Sequence, residues 1–152
     1  MEEPEFRTRQ QQSSGKVASQ HFLYTYLQYM RHSITLNRNN VLLEGMRAQV
    51  EGGRNERSAA DGGKKVVKPQ DLVRMYENII QSLHEVPSLA GLEEDEALRQ
   101  ATESKVTFYR AFRSYYIALA FIQAQKWPEA MAVFQKSKNL VATVSTGILY
   151  NS

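Results

Sequence analysis

The sequence predicts an all-α chain of antiparallel helical hairpins joined through a flexible linker. Three observations lead there. Leu72, Met75, Tyr76, Ile79, Ile80 and Leu83 recur at the spacing that lines one side of a helix. Proline stands where a helix can open, at Pro69 and again at Pro128, since the first turn needs no amide partner there. Two small residues, Ala118 and Ala130, lie on either side of a short polar turn and are accompanied by Ile117, Phe121 and Phe134.

Along the chain, residues 1–17, including QQQSSG at 10–15, lack apolar periodicity and read as a mobile N-terminal segment. Residues 18–50 contain a single glycine, Gly45, and no proline. Phe22, Tyr26, Tyr29, Met30, Leu36, Leu42, Leu43, Met46 and Val50 recur through them, which predicts one long helix or two end to end. The composition then changes to EGGRNERSAADGGKKVVK over 51–68, with two Gly-Gly pairs and little to bury. That stretch reads as a flexible basic linker, in which Arg54, Arg57, Lys64, Lys65 and Lys68 outnumber Glu56 and Asp61.

Pro69 opens the next helix with Asp71 in its first turn, where a carboxylate suits the positive helix end, and the helix runs to about Glu85. Pro87, Ser88 and Gly91 interrupt the pattern. The acids Glu93–Glu96 then start a helix lasting to about Gln125; they read as a capping and dipole feature, because the alternating ligand order and central glycine of a calcium loop are missing. After QKWP the final helix runs through Phe134 to about Val144, and residues 145–152 form a tail.

Ile117-Ala118, Phe121, Ala130 and Phe134 follow the spacing of a tetratricopeptide hairpin. Small residues let two helices approach, and Ile117, Phe121, Trp127 and Phe134 are the expected filling. The match is incomplete: Ser114 stands where that repeat has Trp, Ser137 where it has Ala, and Ala142 where it has Pro. On these residues 69–144 is expected to be tetratricopeptide-like helical hairpins.

Composition restricts the chemistry. The absence of cysteine excludes disulfides, thiolate metal sites and a cysteine nucleophile. His21, His32 and His84 are too far apart in sequence to suggest a shared metal. No phosphate-binding glycine loop, nucleophile elbow or zinc-protease motif occurs, so no enzyme activity, catalytic residue, cofactor or metal is expected. The N-terminus MEEPEFR is unlike a secretory signal, and the longest apolar run, Tyr115–Ile122, is far short of a membrane span, which predicts a cytoplasmic protein without membrane insertion. A net charge of +3 favours anionic partners mildly.

The candidate RNA-contact residues are basic: Arg31 and Arg38, seven apart and therefore on one helix face with Asn37, Asn39 and Asn40 nearby, and Lys64, Lys65 and Lys68 of the linker. Arg110 and Arg113 form a second pair. Arginines of either pair can bind phosphate or meet carboxylates on neighbouring helices.

Two long runs bear a resemblance. KPQDLVRMYENIIQSLHEVPSLAGLEEDEALRQ together with FYRAFRSYYIALAFIQAQKWPEAMAVFQ, and GKVASQHFLYTYLQYMRHSITLNRNN upstream, resemble the middle segment of the 68-kDa subunit family of the eukaryotic signal recognition particle. The features that matter are Tyr-Leu-x-Tyr leading to Arg38-Asn39, Pro-Gln-Asp-Leu-Val-Arg-x-Tyr at Pro69–Tyr76, Leu-x-Gly-Leu-Glu-Glu-Asp at Leu89–Asp95 and Lys-Trp-x-Glu-Ala at Lys126–Ala130, in that order over roughly residues 16–140. The resemblance implies a non-enzymatic scaffold in a ribosome-associated, cytoplasmic ribonucleoprotein that delivers secretory proteins to the endoplasmic reticulum, with a nucleolar assembly stage. It implies particle RNA and the 72-kDa subunit as partners, reached through the full-length family protein rather than through this segment alone. No RNA-binding residue of the family maps onto these positions. A free peptide-binding adaptor and a small basic RNA-binding protein are the alternative readings of the same residues.

Overall fold

The computed structural model describes residues 3–52 and 66–150, with side chains for 15–52 and 66–145. It is all-α, and among the described residues there is no strand. Helix α1 spans Glu3–Gly52, α2 Pro69–Glu85, α3 Glu96–Gln123 and α4 Trp127–Tyr150, with a 3-10 turn at Val86–Ser88. One long helix thus replaces the choice between one and two, and it opens at Glu3 rather than near residue 18. Lack of apolar periodicity removes a reason to pack but not the backbone hydrogen bonds, and glutamine and arginine are good helix formers. At the other end α4 continues past Val144 to Tyr150. Of the 51–68 linker, residues 53–65 lie outside the described residues.

The helix ends follow their sequence signals. Lys68 donates its backbone N–H to the Asp71 carboxylate at 3.0 Å, while the Asp71 N–H returns a bond to the Lys68 carbonyl at 2.9 Å, a reciprocal cap ahead of Pro69. The Asp95 carboxylate accepts the Leu98 N–H at 2.9 Å and so caps α3, which places the helix start at Glu96 instead of Glu93. At the end of α3, Lys126 N–H reaches the Phe121 carbonyl and Gln125 N–H reaches that of Ile122, each at 2.9 Å. This is a Schellman cap, and Gln125 occupies its left-handed position at φ 59 where glycine is the usual residue.

Sequential neighbours run antiparallel, α1 on α2, α2 on α3 and α3 on α4. The stripe of α2 is buried as its spacing requires: Leu72, Tyr76, Ile79, Ile80 and Leu83 form one core with Leu43 of α1 and with Val106 and Tyr116 of α3. At its centre the Tyr76 ring lies 5.6 Å from Tyr116, 6.1 Å from Phe112 and 6.2 Å from Tyr109. The hydroxyls at the rim tie α1 to α3, Tyr109 donating to Asn40 Oδ1 at 2.9 Å and Tyr116 to Glu51 Oε1 at 3.1 Å. Burial pushes the phenols of Tyr76 and Tyr116 above the ordinary tyrosine value, because a phenolate there would lose its hydration.

The contact between α3 and α4 is made by small residues. Ala111, Ala118 and Ala130 are buried, and so are Ser114 and Ser137 at the positions where the repeat pattern has Trp and Ala. Ser137 donates to the Ala111 carbonyl at 2.8 Å across the interface, a bond alanine could not make. Ile117, Phe121 and Phe134 are half-buried, the last ring 5.7 Å from Tyr115. Trp127 departs from the packing role expected of it. It is 60 % exposed, because it opens α4 at the turn, beyond the stretch where the two helices face each other.

Three outcomes test this architecture. Ala130→Arg places a large cation in a closed helix contact and is expected to cost on the order of 3 kcal/mol, or about 10 °C in Tm. Lys138→Ala is the exposed control, and circular dichroism melts that coincide for the two variants would refute the contact. Gln125→Gly relieves the left-handed backbone and is expected to gain about 0.5–1 kcal/mol in urea unfolding; a loss of stability would contradict the cap geometry. The raised phenols of Tyr76 and Tyr116 leave stability intact below the free-tyrosine value near 10 and erode it as pH rises beyond that point, since only the unfolded chain ionises there. A late, cooperative phase of 295 nm absorbance accompanying loss of helix is expected, and the Tyr76→Phe, Tyr116→Phe pair should remove it.

Candidate interaction surfaces

Helix α1 positions most of the functional candidates. At 100° per residue its inward face carries His32, Leu36, Leu43, Met46 and Val50, all buried or half-buried. His32 Nδ1 lies 3.6 Å from Glu85 Oε2 of α2, and Thr25 donates to the Ala90 carbonyl at 2.9 Å, so α1 is fixed along the length of α2 and the loop beyond it.

Arg31 and Arg38 are both exposed and project from one flank of the helix, one above the other. Neither guanidinium has an ion-pair or hydrogen-bond partner among the described residues. Their asparagine neighbours divide: Asn37 is exposed, whereas Asn40 turns inward to the Tyr109 hydroxyl. Lys68 is exposed at the start of α2, beside the far end of α1, about 18 Å along the helix from Arg38. The structure therefore does not gather these cations into one patch. Lys64 and Lys65 lie outside the described residues.

Of the other arginines, Arg74 is exposed on α2 without a partner among the described residues, whereas four are engaged. Arg113 lies 3.8 Å from Glu77, Arg110 3.4 Å from the His84 ring, and Arg99 3.2 Å from Glu96. Arg47, which the spacing of the sequence did not single out, lies 5.3 Å over the Phe112 ring and 3.6 Å from Glu51. It borders a groove of about 320 Å³ between α1 and α4, floored by Phe112 and Tyr115 of α3. A second groove of about 610 Å³ continues along the same helices past Asn37, Asn40, Lys105 and Phe108. No group of three or more His, Asp or Glu side chains that could hold a metal occurs among the described residues, and no described helix is long and apolar enough to cross a membrane.

A further feature escaped the spacing analysis. Phe22, Leu23, Tyr26, Leu27 and Ile34 of α1 are all more than half exposed. They lie on the outward side, where Leu27 and Ile34 adjoin Arg31 and Arg38. The signal was present in the sequence: the apolar residues of this helix fall on two faces, and reading them as one stripe merges the two.

Comparison with known proteins places these surfaces in a family. The model of RNA-binding signal recognition particle 68 matches residues 5–149. Signal recognition particle subunit SRP68 of Drosophila melanogaster is 37 % identical over 131 residues, which is 86 % of this chain and 22 % of that protein. The Caenorhabditis elegans subunit is 31 % identical over 116 residues, 76 % of this chain and 16 % of the relative. The Dictyostelium discoideum subunit is 23 % identical over 118 residues, 78 % and 19 %. The chain thus spans about a fifth of the length of these relatives. No solved structure matches it significantly. With nearly its whole length inside the family match, the chain belongs to the signal recognition particle 68 family.

Proposed function

We propose that the chain is a non-enzymatic scaffold segment of a signal recognition particle subunit, supporting RNA–protein assembly for co-translational targeting of secretory proteins to the endoplasmic reticulum. The observation behind this reading is how the polar groups are used. Arg47, Arg99, Arg110 and Arg113 meet partners within the chain, and the tyrosine hydroxyls of the core join α1 to α3. Of these, the Arg113–Glu77 and Arg110–His84 contacts, the Arg47–Phe112 stacking and the tyrosine hydroxyls fix helices relative to one another rather than presenting reactive groups. In this reading residues 69–144 are the tetratricopeptide-like spacer, 51–68 a basic connector, and particle RNA and the 72-kDa subunit are held by the full-length protein, in the cytoplasm and, during assembly, in the nucleolus.

A direct RNA contact is the second reading. The family description is RNA-binding over 5–149, and Arg31 and Arg38 are available on one helix face. The two readings separate by strength and salt dependence. A few scattered phosphate contacts lose orders of magnitude in affinity as salt rises, so the scaffold reading expects binding of the 152-residue chain to particle RNA to disappear by about 200 mM salt. Arg31→Ala with Arg38→Ala should lower only that residual binding and leave helicity intact. Tight, salt-resistant, RNA-selective binding in a mobility-shift titration would establish the direct reading in its place.

A further inference from the structure

Each described helix buries a face against the next, and a helix face that no described element covers is expected to be polar. That of α1 is not. Phe22 is 74 % exposed, Leu27 57 % and Ile34 64 %, and together with Tyr26 and Met30 they form a ridge about 18 Å long, with Phe22, Tyr26, Met30 and Ile34 at i, i+4, i+8 and i+12. Rows of this spacing are the ridges that fit the groove of another helix. Its charge is one-sided as well. Residues 15–43 contain Lys16, Arg31 and Arg38 and no Asp or Glu. Beyond the helix, Glu85 approaches on the inward side, where it meets His32, and Glu93–Glu96 lie toward the Phe22 end, where the Asp95 carboxylate is occupied by its cap and Glu96 by Arg99.

From this we infer that the outward face of α1 docks an amphipathic helix whose apolar stripe is flanked by Asp or Glu. Carboxylates on that flank would meet Arg31 and Arg38, the two arginines of α1 with side chains described that have no partner among the described residues. A second copy of the chain fits less well. In an antiparallel pairing of identical helices like edges meet, so the arginine edge would face another arginine edge. Nucleic acid would satisfy the cations and find stacking platforms in Phe22 and Tyr26, but it would leave Leu27, Met30 and Ile34, the ridge residues nearest the arginines, against a polar backbone.

The test uses the 152-residue chain and two fluorescein-labelled synthetic helices of 21 residues that share one leucine stripe, flanked by Glu in the first and by Lys in the second. Fluorescence anisotropy is expected to show binding of the Glu-flanked helix and at least ~10-fold weaker binding of the Lys-flanked one, because like charges brought together across an interface cost several kcal/mol. Met30→Glu with Ile34→Glu should weaken the first interaction at least ~10-fold, since a carboxylate would be buried without a partner, while the melting curve stays that of the parent. Arg31→Ala with Arg38→Ala should weaken it and flatten its salt dependence. Equal affinity for both peptides, or none for either, would overturn the inference. So would a dimer in sedimentation that Ile34→Glu dissociates, or binding to phosphatidylserine vesicles or to particle RNA that displaces the peptide and is itself abolished by Ile34→Glu.

Discussion

The ring of Tyr76 is the constraint on which the bundle depends. It is almost completely buried on α2, with Phe112 and Tyr116 stacked beside it and Tyr109 tilted against it. Burying one such ring, at about 200 Å² and 25 cal/mol per Å², contributes roughly 5 kcal/mol, a large fraction of the net stability of any domain. The cluster also sets the register of α3, because Tyr109, Phe112 and Tyr116 are spaced three and four apart and can only converge on Tyr76 from one helix face. With α3 held there, the hydroxyls of Tyr109 and Tyr116 reach Asn40 and Glu51, and Arg47 settles over Phe112. Helix α1 is thereby aligned by polar contacts at the edge of an apolar core.

The other face of α3 works by a different principle. Buried alanines and serines, with the single ring pair Tyr115–Phe134, meet α4, and the small residues allow the backbones to approach closely enough for Ser137 to bond the Ala111 carbonyl. A single helix therefore presents large rings on one side and small residues on the other. A stretch so rich in aromatics thus packs most of its rings against its neighbours: Tyr109, Phe112 and Tyr116 gather on Tyr76 of α2 and Tyr115 meets Phe134 of α4, while Phe108 and Trp127 are exposed.

How much of this could be read beforehand depended on whether a helix has one partner or several. The α2 stripe was legible because Leu72 to Leu83 faces a single core, so periodicity and burial coincide. Ala118 and Ala130 were legible as a spacing, though the same spacing wrongly drew Trp127 into the contact. Helix α1 resisted, since its outward residues from Phe22 to Ile34 and its inward residues from Leu36 to Val50 follow one another in one run and cancel any simple amphipathic signal. Ion pairing resisted for another reason. Arg113 could meet any acid on a neighbouring helix, and only the register of α2 on α3 selects Glu77. The left-handed turn at Gln125 was invisible because the residue usual at that position, glycine, is absent.

The distribution of charge follows from the same geometry. Arginines near a helix seam acquire partners because the packing brings a carboxylate or an aromatic face within reach, as for Arg47 and Arg113. Arg31 and Arg38 lie on the side of α1 that no described helix covers, and the run of α1 from 15 to 43 supplies no acid of its own at i±3 or i±4. Both arginines are left hydrated next to exposed aliphatic and aromatic side chains. Such a surface costs little while each apolar group stands in water at the edge of a stable core, and it gains free energy only when a second surface with the opposite polarity removes that water. Among the described residues, the outward side of α1 is thus where exposed apolar side chains and unpaired arginines stand together.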